Sequence, residues 1–333
     1  MKAKRFWLMG SVAAGATLLL ILALLPGYFP TAKGAAKLVL VPSGAGAAQI
    51  GELLEKEGIV RSGGAFTRYV KLKNAMGKLK AGAYNLKPGM GLGAIVEKLT
   101  KGETEALPFT VPEGYTLRKI AAKLEEVQLG KADRFLRLAT TGRAQFKELF
   151  SPPADTLEGY LFPDTYMIEP GLDEAQLITR MLGRMKELLK DAEVAPLLAK
   201  SKRPLHEVLT LASLVESEAK ADEERAVVAD VFLNRLKKKM PLESCATVEY
   251  ILPKRKTVLS YKDTRVESPY NTYLHPGLPP SPICSPGKAS IIAALAPAGT
   301  DYLFFTARKN GAHYFSRSYS EHLAATQKAR NED

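Results

Sequence analysis

The chain has 333 residues, 46% of them hydrophobic and 25% charged, which is typical of a folded protein with one or two domains. The formal net charge of +12 suits a polyanionic partner such as nucleic acid, an anionic membrane surface or an acidic polymer. No arginine-rich run with interleaved aromatic residues occurs, so nucleic acid is not a predicted partner. The sequence also lacks a phosphate-binding loop, a dinucleotide-binding glycine motif and a metal-spaced Cys/His cluster, so we predict neither a cofactor nor a metal site.

The N-terminal segment predicts a membrane anchor. Residues 6–29 carry no charge, and these 24 residues are long enough to cross a bilayer core of about 30 Å. Three basic residues within residues 1–5 predict a cytoplasmic tail, so we expect the rest of the chain on the periplasmic (extracytoplasmic) side of the cell (inner) membrane. A cleaved signal peptide is the alternative, although its apolar core is normally only about 7–15 residues long.

An internal repeat follows the anchor. Residues 40–44 (LVPSG) and 110–114 (TVPEG) begin two copies, and a tyrosine followed by Pro-Gly recurs later in both. Each copy predicts a short strand, two helices, a second strand ending in Pro-Gly, and another helix. Chance similarity of short turns is the alternative. By analogy, such a module outside the membrane is similar to a LysM-like polysaccharide-binding unit, which we expect over residues 38–105, with a related module over residues 108–198.

A helix is predicted over residues 204–220, and it carries the most informative residue of the chain. Apolar residues recur at helical spacing and define one buried face, on which Glu216 lies, while Glu218 points elsewhere. A carboxyl group on an apolar face is poorly solvated, which favours its protonated form. Such a group can serve as a general acid. The alternative is a glutamate at the rim of the apolar face, paired with a lysine or arginine.

The last third of the chain has a different sequence pattern. Asp222 is predicted to cap a second helix, and a strand-like segment follows over residues 246–252. A loop over residues 268–283 is rich in Pro and Tyr, so it suits stacking on sugar rings, with a rigid surface connection as the alternative. The pattern then predicts a hairpin between residues 302–305 and 313–315, followed by a final helix over residues 319–330.

Two cysteines occur, Cys245 and Cys284. Outside the cytoplasm two thiols can pair, because disulfides persist there. Two buried unpaired cysteines are the alternative, since the sequence does not supply the geometry that a disulfide needs.

Several strings, taken together and in this order, resemble the MltG/YceG-like family of endolytic murein transglycosylases. The resemblance covers nearly the whole chain. The strings are residues 111–116 (VPEGYT), 157–166 (LEGYLFPDTY), 211–218 (LASLVESE), 224–225 (ER), 231–236 (VFLNRL), 270–273 (YNTY), 277–280 (GLPP) and 286–287 (PG).

The resemblance implies an α+β fold, with a single transmembrane helix, LysM-like α/β modules and a mixed α+β catalytic domain over residues 199–330. It places the family's catalytic glutamate on Glu216. Where the family usually has an aspartate, this chain has Cys245. Any contribution of that aspartate to the cleft is therefore missing in this chain. A link between Cys245 and Cys284 could hold the two loops together instead. The resemblance also implies that substrate is bound by Glu158, Tyr160, Glu224, Arg225, Thr247, Asn271, Thr272 and Tyr273.

The implied reaction cleaves glycan strands between N-acetylmuramic acid and N-acetylglucosamine, which would terminate nascent strands. Glu216 would protonate the leaving oxygen and then take the proton from the muramic acid 6-hydroxyl, which closes onto C1 to give a 1,6-anhydro end. An internal nucleophile needs no second carboxylate to position water. The implied partners are peptidoglycan strands, the membrane and peptidoglycan synthases (penicillin-binding proteins).

Three other functions fit parts of the sequence. A non-catalytic peptidoglycan-binding scaffold would use the repeat and the basic charge equally well, but it does not need a carboxyl group on a buried face. A muramidase-type hydrolase would recruit Glu218 as a second carboxylate, and its position off that face argues against this. A nucleic-acid-binding membrane protein is suggested by charge alone, and the predicted topology argues against it.

Overall fold

The computed structural model describes residues 34–332 except Ser43, Pro170, Gly171, Arg255, Thr257 and Val258. The chain forms two compact units. The first unit contains the described residues up to Pro108 together with the short segment 167–172, and the second contains residues 109–166 and 173–332. Most of the second copy of the repeat therefore belongs to the same compact unit as the last third of the chain.

The first unit is a small strand–helix–helix–strand module with one further helix. Strands β1 and β2 are antiparallel, with Val39 opposite Tyr84. The elements are β1 (Lys37–Val41), α1 (Ala47–Lys56), α2 (Gly63–Leu72), β2 (Gly82–Leu86) and α3 (Leu92–Lys101).

The core of the first unit forms because each helix buries one apolar face. Ile50 and Leu54 of α1 and Phe66 of α2 are fully buried in a single cluster with the strands. Helices α1 and α2 meet at two glycines. A Cβ atom on Gly51 would lie 2.5 Å from the carbonyl oxygen of Gly63, so only glycine permits this backbone approach.

The second unit is mainly helical and carries two short strand pairs, β3 with β4 and β5 with β6. Single 3-10 turns lie at Arg143–Phe146, Asp222–Glu224 and Asp263–Arg265. The chain passes between the units within β3 (Leu107–Thr110) and β4 (Thr165–Ile168). The other elements are α4 (Leu117–Glu126), α5 (Ala132–Ala139), α6 (Glu174–Leu188), α7 (Val194–Lys200), α8 (Leu205–Glu218), α9 (Arg225–Lys237), α10 (Cys245–Ile251), α11 (Lys288–Leu295), β5 (Phe304–Ala307), β6 (His313–Ser316) and α12 (Tyr319–Asn331).

Helix α8 is the central element of the second unit. It packs against both α9 and α11, and every residue from Val208 to Val215 is buried. The sequence pattern predicted one buried face, but a helix that is covered all round is the better description. The consequence for the site is that the fully buried stretch of α8 ends just before Glu216, where the last turn of the helix reaches partly accessible space.

The predicted order of elements in the two repeat copies agrees with the structure. Both copies run strand, helix, helix, strand and helix, from β1 to α3 and from β3 to α6. The predicted hairpin and final helix are also present, as β5, β6 and α12. The Pro-Gly pair of the second copy, Pro170 and Gly171, lies outside the described residues.

The predicted strand over residues 246–252 is wrong, because this segment forms helix α10. Thr247 and Val248 favour a strand by local propensity. The carboxyl group of Glu218, however, accepts hydrogen bonds from the Ser244 hydroxyl at 2.6 Å and from the backbone of Ala246. A carboxylate from α8 therefore stabilises the N-terminus of α10, which is a tertiary contact that local sequence does not reveal.

None of the helices within the described residues is both long and apolar enough to cross a membrane. The predicted anchor over residues 6–29 and the predicted tail over residues 1–5 lie outside the described residues.

Candidate active site around Glu216

Glu216 lies in the last turn of α8, with its side chain only 8% exposed. Its Oε2 atom accepts hydrogen bonds from the backbone N–H of Gly287 at 3.0 Å and from the hydroxyl of Ser290 at 2.8 Å. Gly287 is the N-cap of α11, so the carboxylate of Glu216 lies at the positive end of that helix. Arg225, the first residue of α9, places Nη1 at 3.4 Å from the same oxygen.

These contacts correct the predicted environment of Glu216. The prediction assumed a carboxyl group surrounded by apolar side chains, but the group faces hydrogen-bond donors and a guanidinium. The alternative of a glutamate paired with an arginine describes the structure better. All three contacts fall on Oε2, and no residue in the described part of the chain hydrogen-bonds Oε1. One oxygen is therefore held in place, and the other can meet a ligand.

Arg225 is held in turn by its own neighbours. Its Nε donates to Asp222 at 2.9 Å, and its Nη1 donates to Ser290 at 2.6 Å. The guanidinium is 9% exposed, so the pair with Glu216 is largely screened from water. Arg225 is thus the predicted substrate-binding residue that the structure brings closest to Glu216, and its position suits stabilisation of the carboxylate.

Glu113 is a second carboxyl group at the site, and the sequence argument did not select it. Its loop is tied to the loop before α11, because Gly114 N donates to Ser285 O at 2.9 Å and Ser285 N donates to Tyr115 O at 2.8 Å. A Cβ atom on Gly287 would lie 1.8 Å from Glu113 Oε1, so the carboxyl group occupies the space beside this glycine. Partial burial and the charge of Glu216 raise the pKa of Glu113.

Periodicity could not single out Glu113, because it lies in a loop and has no helical or strand pattern around it. The available signal was the string VPEGYT over residues 111–116, which contributed to the family resemblance without assigning a role to its glutamate.

Glu218 points away from the Glu216 contacts, as the helical pattern predicted. Its carboxyl group faces the N-terminus of α10, beside Ser244. Burial raises its pKa despite the hydrogen bond from Ser244. Cys245 and Tyr273 lie next to this group, with the thiol 3.1 Å from the phenol oxygen. Tyr273 is only partly buried, so it remains the member of the predicted loop best placed to meet a ligand.

Three predicted binding residues form a buried hydrogen-bond network. Asn271 is fully buried and donates to the carbonyls of Thr264 and Val266 at 3.0 and 2.8 Å. The hydroxyl of Thr272 contacts that of Thr247 at 3.0 Å, and both residues are buried. These side chains use their polar atoms within the protein. Direct contact with sugar stays a prediction, and the burial of these residues favours a role in shaping the loop.

Glu158, Tyr160 and Glu224 are also engaged by the protein itself. Glu158 and Tyr160 are 2% and 3% exposed. Tyr160 places its hydroxyl 3.0 Å from His206 Nδ1. Glu224 accepts the backbone N–H of His313 at 2.9 Å and contacts His313 Nδ1 at 2.7 Å. Their predicted roles in substrate binding are untested, and these contacts tie separate parts of the unit together.

The two cysteines are free, so the suggested link between them is wrong. Cys245 is exposed beside Tyr273, whereas Cys284 is buried with its thiol 3.4 Å from the carbonyl oxygen of Ser213. Ser213, which Cys284 contacts, belongs to α8, and Cys245 is the first residue of α10.

The arrangement of groups around Glu216 can transfer a proton between this carboxyl group and a ligand. Glu216 offers one oxygen to a ligand, and three donors stabilise the carboxylate that remains after its proton has left. This geometry describes acid–base chemistry. Among the residues that the structure describes, no group of three or more His, Cys, Asp or Glu side chains could hold a metal ion.

Comparison with known proteins agrees with this chemistry. The sequence matches the YceG-like family over residues 39–328. An endolytic murein transglycosylase from Bacillus subtilis (strain 168) is 39% identical over 302 residues, which are 86% of this chain and 83% of the relative. One from Streptococcus pneumoniae (strain D39) is 34% identical over 85% of this chain and 56% of the relative. The crystal structure of a YceG-like protein from Listeria monocytogenes is 35% identical, with a TM-score of 0.64, and covers 87% of this chain and 98% of that chain.

Proposed function

The chain belongs to the YceG-like family, and we infer that it is a lytic transglycosylase that cleaves the glycan strands of peptidoglycan, with Glu216 as its general acid and base. The observation that carries this assignment is the contact set of Glu216. Donors hold Oε2, while Oε1 has no hydrogen-bond partner among the described residues. A buried, oriented carboxyl group with one open oxygen is what transfer of a proton to a glycosidic oxygen requires.

In the proposed reaction, Oε1 of Glu216 gives its proton to the oxygen between N-acetylmuramic acid and N-acetylglucosamine. The bond from C1 of the muramic acid to that oxygen breaks, and the 6-hydroxyl of the same sugar attacks C1. The Glu216 carboxylate then takes the hydroxyl proton, which leaves a 1,6-anhydro end and restores the acid. Arg225, Ser290 and the N–H of Gly287 stabilise the intermediate carboxylate.

Hydrolysis is the competing reaction, and it would need a second carboxylate that positions water at C1. Glu218 does not serve this role in the proposal, because its carboxyl group is held at the N-terminus of α10. An internal nucleophile replaces the bimolecular encounter with water, so a single acid–base residue suffices.

We further propose that residues 6–29 anchor the chain in the cell membrane with residues 1–5 in the cytoplasm. The uncharged run and the preceding basic residues support this topology. The first unit would act as a LysM-like glycan-binding module, and the catalytic part would meet nascent strands beside peptidoglycan synthases. A full-length chain should stay with washed membranes, whereas a chain that lacks residues 6–29 should leave them; membrane release of the full-length chain would contradict the anchor.

The decisive experiment digests isolated peptidoglycan with the full-length protein and identifies the new glycan ends by mass spectrometry. Anhydro ends are expected. Reducing ends would identify a muramidase instead, and the absence of new ends would identify a binding scaffold.

The Glu216→Gln variant tests the residue assignment in the same assay. Gln keeps the size of the side chain but cannot donate and retrieve a proton, so we expect a loss of about 10²–10⁴-fold. Glu207→Gln is the matched control, because Glu207 is an exposed carboxylate on the same helix. Activity of Glu216→Gln within a few-fold of the wild type would refute the assignment.

A further inference from the structure

Tyr115 borders the candidate active site because its loop is fixed there. Gly114 N donates to Ser285 O at 2.9 Å, and Ser285 N donates to Tyr115 O at 2.8 Å, so two backbone hydrogen bonds hold the loop on the segment before α11. A Cβ atom on Gly114 would lie 3.9 Å from Cγ of Glu216. With standard backbone dimensions, Cα of Tyr115 is therefore no more than about 9 Å from that atom.

Two lysines of α4 place their ammonium groups near the Tyr115 ring. Lys119 Nζ lies 5.7 Å and Lys123 Nζ lies 5.9 Å from the ring centroid, which is within the range of a cation–π interaction. Residues four apart are neighbours on a helix surface, so one aromatic side chain can hold both charges at the same place. We call this half-buried tyrosine and the two lysines the Tyr115 cluster (Tyr115, Lys119 and Lys123).

The protein does not neutralise the positive charge of the Tyr115 cluster. Within the residues that the structure describes, no carboxylate forms an ion pair with Lys119 or Lys123. Lys123 donates to the carbonyl oxygen of Thr110 at 2.7 Å, which leaves two of its three N–H groups for a ligand. Like charges at this spacing destabilise a helix, so an anion that bridges the two ammonium groups would remove their repulsion.

The neighbouring carboxyl group of Glu113 does not fill this role. It lies beside Gly287, whose Cβ position would be 1.8 Å from Glu113 Oε1. The charged groups that act on Glu113 are Glu216, Arg225 and Asp222, none of which belongs to α4. The two ammonium groups of the Tyr115 cluster are therefore available to an anionic group of the substrate.

We propose that the Tyr115 cluster binds a carboxylate of the peptidoglycan strand next to the bond that is cleaved. The proposal rests on the proposed function, since it adds a substrate contact to the same site. Stem peptides carry carboxylates where they are attached, and the lactyl group of the muramic acid carries one where the peptide has been removed. Either carboxylate can accept hydrogen bonds from both ammonium groups. N-acetylglucosamine has no carboxylate, so the cluster distinguishes the two sugars of the strand.

The test compares the wild type with Lys119→Gln/Lys123→Gln, both as full-length chains, on soluble glycan strands. Loss of a contact that is made equally before and during the reaction raises KM and leaves kcat within a few-fold. We expect KM to rise about tenfold, because two exposed ion pairs are lost. The KM of the variant should also depend less on salt, since salt screens the wild-type contact. Equal KM values in the two proteins would overturn the proposal.

Three substrates identify the carboxylate. They are strands with stem peptides, strands from which an amidase has removed them, and strands whose carboxylates have been converted to amides. The difference in KM between the two proteins should vanish on the amidated strands, and a difference that persists there would overturn the proposal. A difference on peptide-bearing strands assigns the contact to the stem peptide, whereas one confined to the stripped strands assigns it to the lactyl carboxylate.

Lys119→Gln alone keeps the test valid if the double variant fails to fold. The Lys119 ammonium makes no hydrogen bond to the part of the chain that the structure describes, so only the charge is lost. KM should rise about threefold, and an unchanged KM would overturn the proposal.

Lys237→Gln/Lys238→Gln is the matched control. It removes two positive charges from the exposed end of α9, about 18 Å along the helix from Arg225, and it should leave KM unchanged. An equal rise in KM would show that net charge, and not the Tyr115 cluster, attracts the strand. Failure of the proposed function gives a different result, because the wild type would then produce no anhydro ends. The same variants would in that case be compared by strand binding in fluorescence anisotropy, where equal affinities would overturn the proposal.

Discussion

The carboxyl group of Glu158 accepts the backbone N–H of Leu117, with its two oxygens 3.0 and 3.2 Å from that nitrogen. Leu117 is the first residue of α4, so a side chain from 41 residues away satisfies a free N–H at the start of this helix. Tyr250 donates its hydroxyl to the same carboxyl group at 3.3 Å. Burial raises the pKa of Glu158 from 4.5 to about 8, although these hydrogen bonds oppose the shift.

This raised pKa predicts a pH dependence of stability. The folded state holds the Glu158 proton more tightly than the unfolded state, so the contribution is complete below pH 4.5 and is lost as pH rises towards about 8. The free energy of unfolding should fall by a few kcal/mol across this range. Thermal melts from pH 5 to pH 8 measure it, with Glu158→Gln as the comparison. The variant lacks the titrating carboxyl group at position 158. An identical dependence of stability on pH in both proteins would therefore contradict the prediction.

Asn271→Ala should destabilise the second unit. The amide donates to the carbonyls of Thr264 and Val266, and its oxygen accepts the N–H of Tyr273 at 3.0 Å. Each buried group left without a partner costs about 1–3 kcal/mol. We expect melting temperature and activity to fall together, which differs from the selective loss of binding expected for a sugar contact. Leu274→Ala is the control, because Leu274 is a nearby residue that is 40% exposed. A stable but inactive Asn271→Ala variant would instead support the predicted role of Asn271 in binding sugar.

Gly51→Ala should open the contact between α1 and α2. The new Cβ atom would lie 2.5 Å from a backbone oxygen, which cannot move without shifting the helix. Overpacking of this kind costs about 1–3 kcal/mol, measured as a lower denaturant midpoint for the first unit. Gly64→Ala is the matched control in α2, because its Cβ would meet only the Ser62 hydroxyl at 3.7 Å. Equal midpoints for the two variants would argue against the close approach.

The two thiols should differ in reactivity. Burial raises the pKa of Cys284 to about 12, and this thiol is enclosed beside Ser213 and Ser217. Cys245 is exposed, although partial burial of its sulfur also raises its pKa. Alkylation followed by intact-mass analysis should add one label to the native protein and two after denaturation. A mass two hydrogens lighter, with no label in either state, would show a disulfide instead.

Local sequence determined the helices, the repeated order of strands and helices, and the position of one carboxyl group near the end of α8. Apolar spacing is a local property, because a helix or strand presents its buried residues at a fixed period. The same logic placed the final hairpin and helix correctly. It failed at α10, where a carboxylate of α8 outweighs the strand propensity of Thr247 and Val248.

The tertiary structure alone decided what surrounds Glu216. Gly287 and Ser290 lie 71 and 74 residues further along the chain, and Glu113 lies about a hundred residues before it. No periodic pattern connects positions so far apart, since their contact depends on how α8, α9 and α11 pack. The sequence therefore identified the carboxyl group, while the packing of three helices and one loop supplied the donors and the arginine that give it a chemical role, together with the second carboxyl group at the site.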